Sequence, residues 1–272
     1  MTDSRVGRAA SGTSSTPART EPPNKAVDRA LDVLDLFVDA PGRLGISEIA
    51  REIELDKSTI SRIVATLVHH GYLKRSSDHR LYEVGPKAWL LGTRYRLAVL
   101  LGDTARVAMA DVLNRFPGTT GYVGVLYRHD VYYVDVIDGP EARRVHHELG
   151  DRTPMQMIAL GRAMLAHLSA EDVADWLARL TPNDLPYRFP TRGALLDELD
   201  RIRQTGYAIN EGDFDPEIAA VAAPVFDGRE NLVGGIALDF TAKDATPGTY
   251  DEFGPAIATT AVRMQRILAS LD

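Results

Sequence analysis

Ten residues carry the clearest chemical pattern in this chain. Between Lys57 and Thr66, the residues Lys57, Ser58, Thr59, Ser61, Arg62, Ala65 and Thr66 share one side of a helical repeat. That side has two cations and four hydroxyls, with no carboxylate to repel phosphate. Ammonium, guanidinium and hydroxyl groups bond phosphate oxygens and base edges. The other side holds Ile60, Ile63, Val64, Leu67 and Val68 at i, i+3, i+4, i+7 and i+8, the spacing that anchors a helix in a core. When such a helix is the second of a helix-turn-helix, its N-terminal residues reach the bases. Those are Lys57 to Arg62, at the end where the helix dipole adds positive potential. Arg62 suits direct readout of guanine, whereas Lys57, Lys74 and Arg75 suit phosphate. Arg80, in a turn between two short strands, suits phosphate or the minor groove.

The flanking elements must position that face. Apolar residues Ala30, Leu31, Val33, Leu34, Phe37 and Val38 predict a first helix from Ala26, ended by Pro41-Gly42. Leu44-Gly45-Ile46 precedes Ser47, expected to cap a second helix. Asp56 is placed to cap the third, which Gly71 ends. Strands at Tyr72 to Arg75 and Leu81 to Val84 then complete a winged helix-turn-helix. Pro86 to about Leu101 is helical and apolar all round, so it should be buried, with a second subunit as one candidate. Beyond it the pattern predicts helices at Thr104 to Phe116, Gln156 to Leu168, Ala170 to Arg179, Thr191 to Thr205 and Thr249 to Leu271. Strands are predicted at Tyr122 to Tyr127, Val131 to Ile137, Arg143 to Leu149, Ile218 to Phe226 and Leu232 to Phe240. The expected class is α+β. The expected division is a flexible tail at 1–25, a winged head at 26–85, a linker or dimerisation helix at 86–103, and an α/β domain at 104–272.

Composition narrows the classes. The 272 residues include no cysteine, which excludes disulfides, thiolate nucleophiles and cysteine-ligated metal and fits a cytoplasmic location. No apolar run is long enough to span a membrane. The net charge of −7 conceals a local step: residues 26–56 hold three basic and eight acidic side chains, and residues 57–80 hold five and one. A basic island in an acidic chain fits a compact element that meets phosphates. His69-His70 and His146-His147 point apart on a helix or strand and have no third partner at suitable spacing, so no metal is expected. The Gly118, Gly121, Gly124 series and Gly234-Gly235 match no phosphate-binding fingerprint, and no nucleophile elbow is present. Neither catalysis nor a cofactor is expected.

The segments Leu44 to Arg51, Lys57 to Leu67 and Gly71-Tyr72-Leu73 together resemble the winged-helix head of the IclR (isocitrate lyase regulator) family of bacterial transcription factors. Tyr82, Val84, Gly85, Pro86, Leu90 and Gly92 are similar to its passage into a linker helix. Gly150, Pro154, Ala159 to Ala163, Leu165-Ala166, Gly206-Tyr207-Ala208 and Ala222 to Val225 are similar to its C-terminal domain. The resemblance covers about residues 25 to 270. It implies a GAF-like domain that binds a small metabolite, a dimer or a dimer of dimers (a homotetramer) on double-stranded operator DNA, and more often repression than activation.

The resemblance also points to an effector pocket, where this chain departs from the pattern. Glyoxylate- and pyruvate-responsive members use an Asp, a Cys and two Ser; the matching positions here are Asn210, Ala220, Ala237 and Asp239. Asp213 stands for a usual Glu, Arg162 for a usual Lys and Gln156 for a frequent His. The expected effector set is Met157, Ala159, Gly161, Asn210, Asp213, Ala220, Ala237 and Asp239, with Met155, Ile158 and Phe240 as further apolar wall. An ionised Asp239 would repel a carboxylate and favour a neutral polar ligand such as a sugar or polyol. The alternative for Asp239 is a structural role, accepting backbone N–H bonds at a strand end. At the level of the whole chain, the competing class is a small-molecule-binding or enzymatic sheet domain whose head serves dimerisation or protein binding.

Overall fold

The computed structural model describes residues 24–39, 42–77, 80–92, 95–142 and 147–271. All but the last two residues of the expected tail lie outside them, as do Pro41, His79 and His146.

The head is built from α1 (Lys25–Asp39), α2 (Ile46–Glu52), α3 (Lys57–His69) and a hairpin of β1 (Leu73–Arg75) with β2 (Tyr82–Val84). Val33 and Phe37 of α1 meet Ile49 and Ala50 of α2, Ile60, Val64 and Leu67 of α3, and Leu73 and Tyr82 of the hairpin in one core. The helix α2 starts two residues earlier than expected, with Gly45 and not Ser47 at its N-cap. Leu44 exchanges backbone hydrogen bonds with Tyr82 at 3.0 and 2.9 Å, so the chain is extended until Gly45, and Ser47 falls inside the first turn without capping it. Leu31 and Val38, expected in the buried stripe, are exposed.

The rest is a six-stranded antiparallel sheet between helical layers. The strands are β3 (Thr120–Tyr127), β4 (Asp130–Asp138), β5 (Arg152–Pro154), β6 (Ala208–Glu211), β7 (Ile218–Phe226) and β8 (Leu232–Thr241), in the order β5-β4-β3-β8-β7-β6. Alternation along the strands divides the two faces. Val123, Val125, Val221, Ala223, Ile236 and Leu238 face α5 (Arg96–Arg115) and α9 (Pro247–Ala269). Tyr122, Ala220, Ala222 and Ala237 face the layer of α6 (Ala159–Leu165), α7 (Ala170–Arg179) and α8 (Arg192–Thr205).

Several elements differ from expectation. The linker is a short α4 (Pro86–Gly92), after which α5 runs unbroken through Leu101 to Asp103, where two helices were expected. Gly102 does not end the helix because it lies against β4: a Cβ there would be 3.0 Å from an Asp135 carboxylate oxygen, and Asp135 pairs with Arg106 of the same helix. No strand forms at 147–149; the edge of the sheet is β5 instead, paired with β4 from Tyr132 to Asp130. The helix expected from Gln156 is a 3-10 turn at Met155–Met157 followed by α6. The strand β6 is absent from the hydrophobic pattern; only the resemblance of Gly206-Tyr207-Ala208 to a strand of the family pointed to it.

Candidate functional site

The recognition face is set by the start of α3. Asp56 caps it: one carboxylate oxygen accepts from the Thr59 amide at 2.9 Å and the Ser58 hydroxyl at 2.5 Å, the other from the Thr59 hydroxyl at 2.7 Å. These bonds, led by those from Ser58 and Thr59, hold the Asp56 carboxyl far below the usual range. The hydroxyl hydrogens of Ser58 and Thr59 are therefore committed, and toward a base these two side chains can only accept. Thr66 donates its hydroxyl to the Arg62 carbonyl at 2.9 Å. Lys57, Ser61 and Arg62 are exposed, and among the described residues no carboxylate pairs with either cation. On the wing, Lys74 lies 3.4 Å from Glu83, and Arg75 sits 5.6 Å over the Tyr82 ring. Such an exposed pair contributes little to stability, so a phosphate can replace Glu83 as the partner of Lys74. Arg80, in the connection between β1 and β2, is exposed. The nine expected DNA-facing residues thus lie on one helix face and one hairpin.

On the α6 face of the sheet lies a narrow cavity with about 20 Å³ of enclosed room, opening to solvent at its mouth. It brings together five of the expected effector residues: Ala159, Asn210, Ala220, Ala237 and Asp239. The other three do not line it. Met157 packs against the core under α6. Gly161 serves packing, because a Cβ there would lie 2.0 Å from the Met155 carbonyl oxygen. Asp213 pairs with Arg162 at 2.6 Å, both side chains essentially inaccessible. Of the expected wall, Ile158 is present, Met155 is fully buried core, and Phe240 lies on the opposite face of the sheet. The residues not anticipated are Tyr133, His147, Leu160, Phe214, Asp215 and Ile218.

Arg162 organises the rim. It donates to the Gln156 carbonyl at 2.9 Å, the Ile209 carbonyl at 2.7 Å and the Asp213 carboxylate, tying α6 to β6 and to the loop that carries Phe214 and Asp215. Burial pulls the guanidinium pKa down, and Asp213 opposes that. Within the cavity His147 stacks on Tyr133, with ring centroids 4.3 Å apart, and meets Tyr122 edge-on at 5.8 Å.

Asp239 sits at the floor, 7% exposed. Its carboxyl has no hydrogen-bond partner among the described residues, so it does not have the structural role considered from sequence. Burial pushes it up to about 8. It is therefore mainly protonated at pH 7, against the expectation of an ionised group, and acts as a hydrogen-bond donor. Burial, and next the nearby Asp239, push the Tyr133 hydroxyl well above its ordinary range. Among the described residues no group of three or more metal-ligating side chains occurs, and no helix is long and apolar enough to cross a membrane.

Comparison with known proteins agrees with this architecture. The IclR helix-turn-helix domain matches residues 26–77, and the bacterial transcriptional regulator IclR C-terminal domain matches residues 99–266. The glycerol operon regulatory protein of Streptomyces coelicolor is 30% identical over 217 residues, 79% of this chain and 84% of the relative. The HTH-type transcriptional regulator BhcR of Paracoccus denitrificans is 29% identical over 217 residues, 79% of this chain and 76% of the relative. An IclR homologue from Microbacterium hydrocarbonoxydans, solved with 4-hydroxybenzoate, shares the fold with a TM-score of 0.77 at 21% identity, covering 90% of this chain and 99% of that one. The chain belongs to the IclR family of transcriptional regulators, with a helix-turn-helix DNA-binding domain followed by a C-terminal effector-binding domain.

Proposed function

We propose that this regulator is a repressor that binds a palindromic operator through Ser58, Thr59, Ser61, Arg62 and Thr66 in the major groove, with Lys57, Lys74, Arg75 and Arg80 on phosphates. The observation that carries this reading is the exposed, carboxylate-free face of α3. Its available donors, Lys57, Ser61 and Arg62, stand at the N-terminal end of the helix. Repression follows the more common behaviour of the family. The acting unit is a homodimer or a dimer of dimers. Trp89 is 68% exposed on α4, with Leu90, Leu91 and Tyr95 exposed beside it and Val27, Leu31 and Val38 exposed on α1. That much uncovered apolar surface favours a second copy. The working division is a head at 26–85, a linker at 86–103 and an effector domain from 104.

In the same reading the effector is a small uncharged polar molecule bound in the cavity of Asn210, Ala220, Ala237 and Asp239. No Lys or Arg lines that cavity to meet a carboxylate, so the familiar glyoxylate contacts are absent. Effector binding changes the spacing of the two heads, and with it the affinity for two half-sites a helical turn or a multiple of it apart. The test is a binding titration of the full chain on DNA from upstream of its own gene, from low to moderate salt. The expected result is saturable binding whose log affinity falls linearly with log salt. Absence of binding to that DNA across the whole salt range refutes the proposal.

A further inference from the structure

Provided that α3 reads the major groove, as proposed, the hydrogen-bond polarity of its first turn is fixed before DNA arrives. A free serine or threonine hydroxyl rotates, donates or accepts, and so distinguishes bases poorly. Ser58 and Thr59 lack that freedom. The Ser58 hydroxyl lies 2.5 Å from one Asp56 carboxylate oxygen and the Thr59 hydroxyl 2.7 Å from the other. The first oxygen also accepts the Thr59 amide at 2.9 Å. Asp56, held ionised by these bonds, can only accept, so both hydroxyl hydrogens point at it. What remains on each hydroxyl is lone pairs.

Position decides which of the two meets a base. Ser58 is exposed and Thr59 half-buried. Ser58 also stands four residues before Arg62, so the two share the helix face opposite Ile60, Val64 and Leu67. Arg62 has donors only. The face therefore sets an acceptor beside a donor, one turn apart. A hydrogen bond to a charged acceptor is about twice as strong as a neutral one, so a neutral base oxygen does not draw the Ser58 hydrogen away from Asp56. A Ser or Asn would cap the helix as well, without a negative charge near phosphate. What the carboxylate adds is two charged acceptors at once.

We infer that Asp56 is a positioning residue for sequence specificity: by taking the hydroxyl hydrogen of Ser58 it makes that side chain an acceptor, which reads the exocyclic amine of adenine or cytosine beside the guanine contact of Arg62. In the major groove each base pair offers an amine from adenine or cytosine and a keto oxygen from thymine or guanine. An acceptor-only hydroxyl takes the amine and rejects a keto oxygen, because two acceptors face to face leave both unmatched. Ser58 thus tells adenine or cytosine from guanine or thymine on the strand it faces, by about ten-fold in affinity.

The test uses duplexes selected from a random pool by the full chain, with affinities read by fluorescence anisotropy. Ser58→Ala and Arg62→Ala each identify the base pair that the side chain reads, as the position whose preference is abolished. At the Ser58 pair, purine for adenine or 2-pyrimidinone for cytosine removes the amine. There, 2-aminopurine for guanine or 5-methyl-2-pyrimidinone for thymine removes the keto oxygen. Loss of the amine should weaken the wild type about ten-fold more than it weakens Ser58→Ala, and loss of the oxygen should weaken both alike. Asp56→Ser keeps a cap and frees the Ser58 hydroxyl. Its preference at the Ser58 pair should fall to within about two-fold, while that at the Arg62 pair holds. The inference is overturned if the oxygen and not the amine matters at the Ser58 pair, or if Asp56→Ser lowers both preferences together, as loss of a plain helix cap would. It is also overturned if Ser58→Ala changes no position. When Arg62→Ala still changes one, the groove reading of α3 stands; when neither variant does, that reading falls too.

Discussion

Replacing Asp239 by Asn removes the one carboxyl that the fold holds without a partner on the cavity floor, at nearly constant shape. The carboxyl is pushed up to about 8 from an ordinary 3.8. Between those values the folded protein keeps a proton that the unfolded chain has released, so unfolding becomes easier as pH rises. The stability associated with this proton is fully present below pH 3.8, falls by about 1.4 kcal/mol per unit, and is lost by about pH 8. At pH 7 the accumulated loss is roughly 4 kcal/mol in the wild type and absent in the variant. The asparagine amide has its own unmatched N–H, which lowers the variant by a constant amount at every pH. The slope therefore carries the information, and the absolute difference does not. Urea unfolding of both proteins at pH 5, 6 and 7 measures it. The Tyr133 hydroxyl is silent over this range because burial keeps it protonated, and His147 is common to both proteins. The Asp239→Asn advantage should grow by about 1.4 kcal/mol for each pH unit. Parallel curves would mean that Asp239 is ionised in the folded state, and the donor role assigned to it would be wrong.

Arg62→Ala should lower discrimination between operator and random DNA by about ten- to a hundred-fold, the worth of one bidentate guanine contact. Lys74→Ala should weaken all sequences alike and reduce the salt slope by about one; fluorescence anisotropy on matched duplexes reads both. Arg162→Met alone should cost about 3–5 kcal/mol in urea unfolding, because it strands the inaccessible Asp213 carboxylate, and adding Asp213→Leu should recover most of that; equal losses in the single and double variants would count against it. Gly161→Ala should prevent stable folding of the effector domain, seen as loss of the cooperative thermal transition, since its Cβ would meet the Met155 backbone at 2.0 Å.

What the sequence revealed follows from how local the determinant is. The head was legible because Ile60, Val64 and Leu67 repeat with the helical period and Asp56 caps from an adjacent position, both short-range facts. That Ser58 and Thr59 spend their hydroxyl hydrogens on Asp56 was not legible, since it depends on rotamers. In the second domain β7 and β8 were found because they are long and apolar. The edge strand β6, Ala208 to Glu211, escaped because its buried positions are Ala and Asn, which carry no hydrophobic alternation. Asn210, Ala220, Ala237 and Asp239 lie on neighbouring strands in register, a grouping that spacing alone does not give and that came from the family resemblance. Tyr133, His147 and Phe214 come from β4 and two loops distant in the chain, and sheet order, not spacing, brings them to the cavity. The shift of the Asp239 carboxyl was misjudged for the same reason: sequence shows the residue type, whereas the walls around it set its charge.

The continuity of α5 has a mechanical consequence. Twenty residues of helix form a rod of about 30 Å, seated along its length on the sheet by Leu97, Leu101, Ala105, Met109 and Val112, with α4 preceding its N-terminal end in the chain. Leu238, which presses on the layer holding that rod, stands between Ala237 and Asp239 in the same strand, and those two face the cavity. Filling the cavity therefore bears on the rod through a single peptide unit. The cavity and the bed of α5 thus share one strand, and breaking α5 near Asp103 should uncouple effector binding from DNA affinity while each domain keeps its own ligand.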